Sequence, residues 1–475
     1  MAAKGRLFKL FWVFTEKFGV VFLSVISFLV FAKLLTPTEL GIGIFILSIF
    51  ELLSFFYSSV LDSALISFKK INDRLCGTVF WSSMLICALT APILFFSLHH
   101  YLNDPTLTLT LFIAAVYLPV QISTRIHIAT LRKSGNFKSL AKRTLIGKVI
   151  GMSGAIFLAF QGFGSLAIVA QAFIMSAVSS LMLFVAHPLR LPLVFDKTLA
   201  YDLLRVGLPV SGKAFSFKFF GNGIIIAIEA TLGAAAVGIY NFANRLVYLP
   251  RDAILGAIVN YAQPVFANRK NNNQDIDTFF VDATRLALFF IMPLFAGFGI
   301  VGPELVSLIF GEKWEKAYPL LGYISLVVAA SFYFIFLPSY LVAVKKTIKG
   351  MIGEIVGSGI ALVAYMLLYK YFGLFSFVIG LMLRLFIVCI VNFKVTTNVS
   401  QVSFSTLMVS FLKPSLCTAF MVIVLLVAKQ YLVGVVSLPE LIVYQIIIAV
   451  MSYLTLLSIV ERRFVSNFKG FLSRK

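Results

Sequence analysis

The sequence predicts an all-α, polytopic membrane protein: two parallel six-helix lobes around a central cleft plus two C-terminal helices, about 14 transmembrane helices in all. Three features predict it: an extreme apolar composition, apolar runs of membrane-spanning length recurring along nearly the whole chain, and an internal repeat. Of the 475 residues 60% are hydrophobic and 12% charged, with a mean hydropathy of +1.00. Soluble globular domains lie far from that balance, so the bilayer is the solvent.

The runs come next. A helix needs ~20 apolar residues to cross the hydrocarbon core. Such spans fall near 14–35, 40–66, 76–98, 107–129, 144–161, 164–186, 206–231, 236–264, 280–301, 317–344, 350–369, 374–393, 412–430 and 438–460. Phe18 to Leu35 is too long for a signal-peptide core and is followed by no small-residue cleavage site, so it reads as an uncleaved first helix. The net charge of +21 has a topological reading. With the N-terminus inside, the even-numbered connections and both ends take most of the basic residues, among them Lys69, Lys70, Arg132, Lys133, Lys345, Lys346, Arg462 and Arg463. The outer connections hold only Lys33, Lys313, Lys316, Lys370 and Lys429. That bias places both termini in the cytoplasm and leaves no basic stripe for nucleic acid.

The repeat is read by matching segments. Leu35-Thr-Pro-Thr-Glu-Leu-Gly41-Ile42 resembles Leu232-Gly-Ala-Ala-Ala-Val-Gly238-Ile239, and Leu118-Pro119 corresponds to Leu337-Pro338. Ile146-Gly147-Lys148-Val-Ile-Gly151 corresponds to Ile352-Gly353-Glu354-Ile-Val-Gly357. Three matches in one order predict an N-terminal six-helix lobe over 1–187, a linker over 188–204, a second six-helix lobe over 205–395, and two extra helices with a basic tail over 396–475. Because six is even, both lobes start on the same side, and their axis runs along the membrane normal. The paired Gly-x-x-x-Gly segments allow close helix approach. Pro92, Pro119, Pro209, Pro250, Pro264, Pro293 and Pro338 are expected to bend their helices.

Some of these residues also carry a resemblance. Ala32-Lys-Leu-Leu-Thr-Pro-Thr-Glu-Leu-Gly41-Ile-Gly43, followed by Ser63-Ala64-Leu65-Ile66, resembles the opening of the polysaccharide-transport (Wzx-type) flippases. Gly238-Ile-Tyr240-Asn-Phe-Ala243-Asn-Arg245-Leu and Phe310-Gly311-Glu312-Lys313-Trp314 are similar to that family's second half. The resemblance covers roughly residues 10–395 and implies membership of the multidrug/oligosaccharidyl-lipid/polysaccharide (MOP) exporter superfamily, whose two six-helix bundles alternate in access. It implies a flippase for an undecaprenyl-diphosphate-linked oligosaccharide, an O-antigen or capsule/exopolysaccharide repeat unit. A polysaccharide polymerase and a chain-length regulator would be its protein partners, and H+ or Na+ its coupling ion. Ser58 and Ser67 depart from the pattern, standing where an acid and Gln are common.

Charges kept inside spans are the candidate functional residues, since one at the bilayer centre costs at least ~2.5 kcal/mol and usually faces a cavity or a partner. The basic ones are Arg125, Lys148, Lys213, Lys218, Arg245, Arg251, Arg285 and Arg384. Lys213 and Lys218 lie among Ser211, Ser216 and Asn222, while Asn241, Asn244, Arg245 and Tyr248 recur at helical spacing and share a face. Arginine offers a planar two-donor fork and lysine a mobile point charge, so Arg245, Lys218, Lys213 and Lys148, with Asn241, Asn244 and Tyr248, are expected to line a cavity for the diphosphate. The bland alternative pairs Arg251 with Asp252 or Asp282 and lets Arg285 snorkel.

Among the acids, Glu51 and Asp62 share a polar span with Ser48, Ser54, Tyr57 and Ser58, and either can exchange a proton or cation during transport or simply pair with a lysine. Glu354 and Lys148 occupy equivalent repeat positions and are expected to meet as a gate. Cys76, Cys87, Cys389 and Cys417 are too scattered for a metal site, the histidines are too scattered for catalysis, and no nucleotide loop or nucleophile triad occurs, so no cofactor is expected. A drug/cation antiporter would present acids to its cavity. A membrane-embedded polymerase or glycosyltransferase would carry a sizeable outer loop, whereas the longest here is about 302–316.

Overall fold

The structure, a computed structural model, describes residues 2–68 and 71–461; the side chains of 2–10, 63, 66, 67, 209, 210 and 212–217 lie outside that description. All regular structure among the described residues is helical. Among the described residues twelve helical segments are long and apolar enough to cross a membrane, and two more, Lys197–Leu232 and Ala234–Asn271, are as long but more polar. The chain is a multi-pass α-helical membrane protein. It forms two compact units, Met1–Gly238 and Ile239–Lys475.

The first unit holds α1 (Ala2–Leu34), α2 (Pro37–Ser67), α3 (Asp73–Leu102), α4 (Thr108–Ser123), α5 (Arg125–Ser134), α6 (Phe137–Phe160), α7 (Gly164–Ala186) and α8 (Lys197–Leu232). Its helix starts are written in the sequence. Thr36 and Glu39 exchange capping hydrogen bonds around Pro37, satisfying donors that a helix N-terminus leaves free. Asp196 accepts from the Thr198 and Leu199 amides and from the Thr198 hydroxyl. Those bonds, the Thr198 side chain foremost, hold its carboxyl below the usual range. The span predicted over 107–129 is interrupted at Thr124, just past Pro119, and resumes as α5. Gly135, at φ 70, closes α5 in the left-handed conformation that favours glycine, and Asn136 caps α6.

Glycines set the closest helix contacts. On α6, a Cβ at Gly147 or Gly151 would press on the Met175 or Gln171 carbonyl of α7. The repeat segments meet each other: a Cβ at Gly41 would overlap the Ala234 carbonyl, and a Cβ at Gly238 would overlap the Pro37 carbonyl. At the repeat's own offset Pro37 corresponds to Ala234 and Gly41 to Gly238.

The second unit continues α9 (Ala234–Asn271) and adds α10 (Ile276–Phe310), α11 (Tyr318–Ser331), α12 (Leu337–Ala343), α13 (Thr347–Phe372), α14 (Phe375–Val399), α15 (Phe404–Leu432) and α16 (Leu438–Val460). The span predicted over 317–344 is broken by a 3-10 turn, Phe332–Phe334, ahead of Pro338. Gly353 and Gly357 of α13 pack on Val391, Val388 and Arg384 of α14, the counterpart of the α6–α7 contact. Trp314 is fully buried and stacks on Phe242 at 4.0 Å, with Phe310 edge-on to the same ring at 5.3 Å. The aromatic motif around Gly311 is therefore a packing device, whose truncation at Trp314 would cost about 3–5 kcal/mol. Asp277 accepts from the Tyr340 hydroxyl at 2.6 Å and the Gln401 amide at 2.8 Å, tying α12 and the start of α15 to α10.

Candidate functional site

Polar groups in the first unit gather along one helix, α2. Without water, a spanning helix satisfies its side chains on neighbouring helices. Asn222 of α8 donates to the Ser48 carbonyl at 3.0 Å. One turn on, Lys218 Nζ lies 3.0 Å from Glu51 Oε2. Ser54 then bonds Gln121 of α4. At the far end Asp62 Oδ2 takes Arg132 Nη1 at 2.9 Å, with Arg125 Nη1 at 3.9 Å, and Lys133 donates to the Phe68 carbonyl. This ladder joins α2 to α8, α4 and α5.

The Lys218–Glu51 pair differs from a buried structural bridge. Its side chains are 36% and 40% exposed, so another molecule can reach either partner. A pair that open adds at most ~1 kcal/mol to stability. Lysine holds its charge on a flexible stem, which lets the ammonium change partner at little cost.

In the second unit, Glu354 of α13 meets Arg384 of α14 at 2.7 Å. Tyr248 and Tyr240 of α9 lie within electrostatic reach of that guanidinium. Arg251 pairs with Asp252 at 3.0 Å and covers the Tyr248 ring at 4.9 Å. Asn241 is buried, its Oδ1 without a hydrogen-bond partner among the described residues. Asn244 is half-buried and Arg245 exposed on the same helix.

The structure thus brings Lys218 to Glu51, and Tyr248 to the Glu354–Arg384 pair. Lys148 is half-buried on α6, beside the glycines that seat α7. The side chain of Lys213 lies outside the described residues. Asp62 sits between two arginines. Sequence reasoning passed over Gln121, which meets Ser54, and Gln171, which donates to Ser27 at 2.6 Å. An uncharged amide in an apolar span was the available signal. No group of three or more potential metal ligands occurs among the described residues.

A family model described as "Polysaccharide biosynthesis protein" matches residues 30–319. The chain is 24% identical over 318 residues to the succinoglycan biosynthesis transport protein ExoT of Rhizobium meliloti (strain 1021), an alignment covering 66% of this chain and 64% of that protein. It is 23% identical over 329 residues to the teichuronic acid biosynthesis protein TuaB of Bacillus subtilis (strain 168), covering 66% of each. The chain thus spans just under two thirds of the length of these relatives. Its fold is similar to the lipid II flippase MurJ in an inward closed conformation, with a TM-score of 0.71 and 16% identity over 96% of this chain and 100% of that one. A multidrug resistance MATE family transporter of the MOP superfamily, inward-facing, follows with a TM-score of 0.57 and 15% identity over 84% of this chain and 94% of that one. The fold is thus similar to that of these two transporters.

Proposed function

Because the chain belongs to the polysaccharide biosynthesis protein family, we propose that it is a transporter and not an enzyme: a flippase that carries an undecaprenyl-diphosphate-linked oligosaccharide, an O-antigen or capsule/exopolysaccharide repeat unit, across the bacterial inner membrane. Two six-helix lobes, 1–187 and 205–395 joined by 188–204, alternate in access, with 396–475 as an added pair of helices and tail. Both termini are cytoplasmic, as the distribution of lysine and arginine favours. A polymerase and a chain-length regulator receive the product. ExoT, named as a transport protein, supports the class of activity.

The observation that carries this reading is the Lys218–Glu51 pair, an accessible, exchangeable charge pair within membrane-length helices. A diphosphate brings more negative charge than one carboxylate and competes for Lys218. As Lys218 turns to the diphosphate, Glu51 is released to take H+ or Na+, which couples cargo to a gradient. Lys213, Lys148, Arg245, Asn241, Asn244 and Tyr248 complete the cargo's polar contacts, and the Gly41–Gly238 contact is an outer gate that parts on opening. Asp62 and Glu354 serve gating through their arginine partners. A drug/cation antiporter fits less well, because the accessible acid Glu51 is already matched by a lysine.

Complementation of a surface-polysaccharide flippase mutant tests the reading. The parent chain should restore polymer, while Lys218→Ala and Glu51→Ala should not, at equal membrane abundance. Failure of the parent with its native sugar supplied, or full export by both variants, would overturn it.

A further inference from the structure

Arg125 opens α5 and is largely enclosed, with 17% of its side chain exposed. Among the described residues its side chain makes no hydrogen bond. Its one ion-pair contact, to Asp62 Oδ2, is 3.9 Å long, and its Nε is buried without a partner. The same Asp62 oxygen is already taken by Arg132 at 2.9 Å, while Asp62 Oδ1 is enclosed and unpartnered. Arg143 of α6 brings a third guanidinium within electrostatic reach, its Nε also unpartnered. The other acid of the cluster is Glu16 of α1, which accepts from Thr144 at 3.1 Å. Three guanidiniums thus face two carboxylates. The Nε of Arg125, the Nε of Arg143 and the Oδ1 of Asp62 are shielded from water without a partner, and each such group calls for an explanation.

The cluster runs from Arg125 at the first residue of α5 to Arg132 in its basic last turn, beside Lys133 and just before Lys138 and Lys142. Phosphate is the anion that membrane lipids offer at such an end, and its oxygens match the guanidinium fork. We propose that Arg125, with Arg132 and Arg143, seats the phosphate of a membrane lipid, and that Asp62 is the internal counter-ion which the phosphate displaces. The lipid is either an anionic phospholipid or the polyprenyl diphosphate itself. The second source rests on the transport reading above; the first does not.

Two substitutions with opposite expected signs test the seat. The purified full chain in neutral detergent is titrated by native mass spectrometry with phosphatidylglycerol, with undecaprenyl diphosphate, and with diacylglycerol as the phosphate-free control. Arg125→Gln should weaken binding of at least one phosphate lipid about tenfold, the scale of one charge-assisted hydrogen bond. Asp62→Asn should tighten it by freeing both arginines, and diacylglycerol should be indifferent to either change. Undecaprenyl diphosphate displacing phosphatidylglycerol identifies the cargo as occupant; phosphatidylglycerol held against it identifies a phospholipid, and both support the seat. Equal affinity in parent and Arg125→Gln overturns it. So does Asp62→Asn weakening binding alongside Arg125→Gln, the mark of a purely structural pair. Seat binding that persists in a chain unable to complement export separates failure of the transport reading from failure of the seat.

Discussion

Two carboxylates ride on α2 eleven residues apart, three turns or about 16 Å, so they share a face. Glu51, in the middle of the helix, has one lysine partner, and both side chains are more than a third exposed. Asp62, near the end, is 21% exposed and shared by two arginines, one of them at 3.9 Å. The middle pair is balanced and reachable; the end cluster sets an enclosed Arg125 beside an exposed Arg132 and is short of acceptors. A membrane helix can thus hold one charge pair that exchanges partners and another that awaits an external anion, and the difference lies in lysine against arginine and in access.

Removing either half of the middle pair should have the largest effect. Lys218→Ala should cut polymer export at least about tenfold, since a charge-assisted contact to cargo is worth ~1.5–3 kcal/mol, and Glu51→Ala should do the same by removing the carboxylate that takes the coupling ion, with abundance unchanged because an exposed pair adds little stability. Next comes the N-terminal end of the same helix. A Cβ at Gly41 would overlap the Ala234 carbonyl, so Gly41→Val should weaken closure and lower export, at the ~1–3 kcal/mol typical of overpacking. Gly223, with open space around it, should accept Ala without loss of export, which separates crowding from any glycine effect. Exchange of the cations sharpens the contrast. Lys218→Arg should slow export by pinning the exchanging group, whereas Arg132→Lys should lower thermal stability by about 1 kcal/mol or less.

The smallest effect concerns pH at the start of α8. The Asp196 carboxyl is held below its ordinary value by Thr198 and the first amides of the helix. Its contribution is therefore complete above the unfolded value of about 4 and is lost as pH falls through the lower folded value. Hydrogen exchange at the first turn of α8, corrected for intrinsic rate, should be flat from about pH 8 to 5 and rise only below about 4.

The membrane class, the long helices and the glycine contacts were legible in the sequence because lipid imposes length and apolarity, and close approach demands small residues. The repeat gained physical sense from the reciprocal fit of Gly41 on Ala234 and Gly238 on Pro37. The pairing of charges was not legible. Nothing in spacing says that Glu51 meets Lys218, 167 residues away, or that Glu354 meets Arg384 on the next helix. Periodicity assigns a residue to a face, but the helix opposite that face is decided by packing. The breaks at Thr124 and Phe332–Phe334 were equally hidden, because proline marks where a helix can yield and not which turn gives way.

The claim that Glu51 competes with a diphosphate for Lys218 is tested most directly by the dissociation constant of undecaprenyl diphosphate, measured in an Arg125→Gln background so that the basic end of α5 does not contribute. Lys218→Ala should weaken binding, and Glu51→Ala should tighten it by removing the competitor. Equal affinities in all three chains, or a shift of both variants in the same direction, would contradict the account.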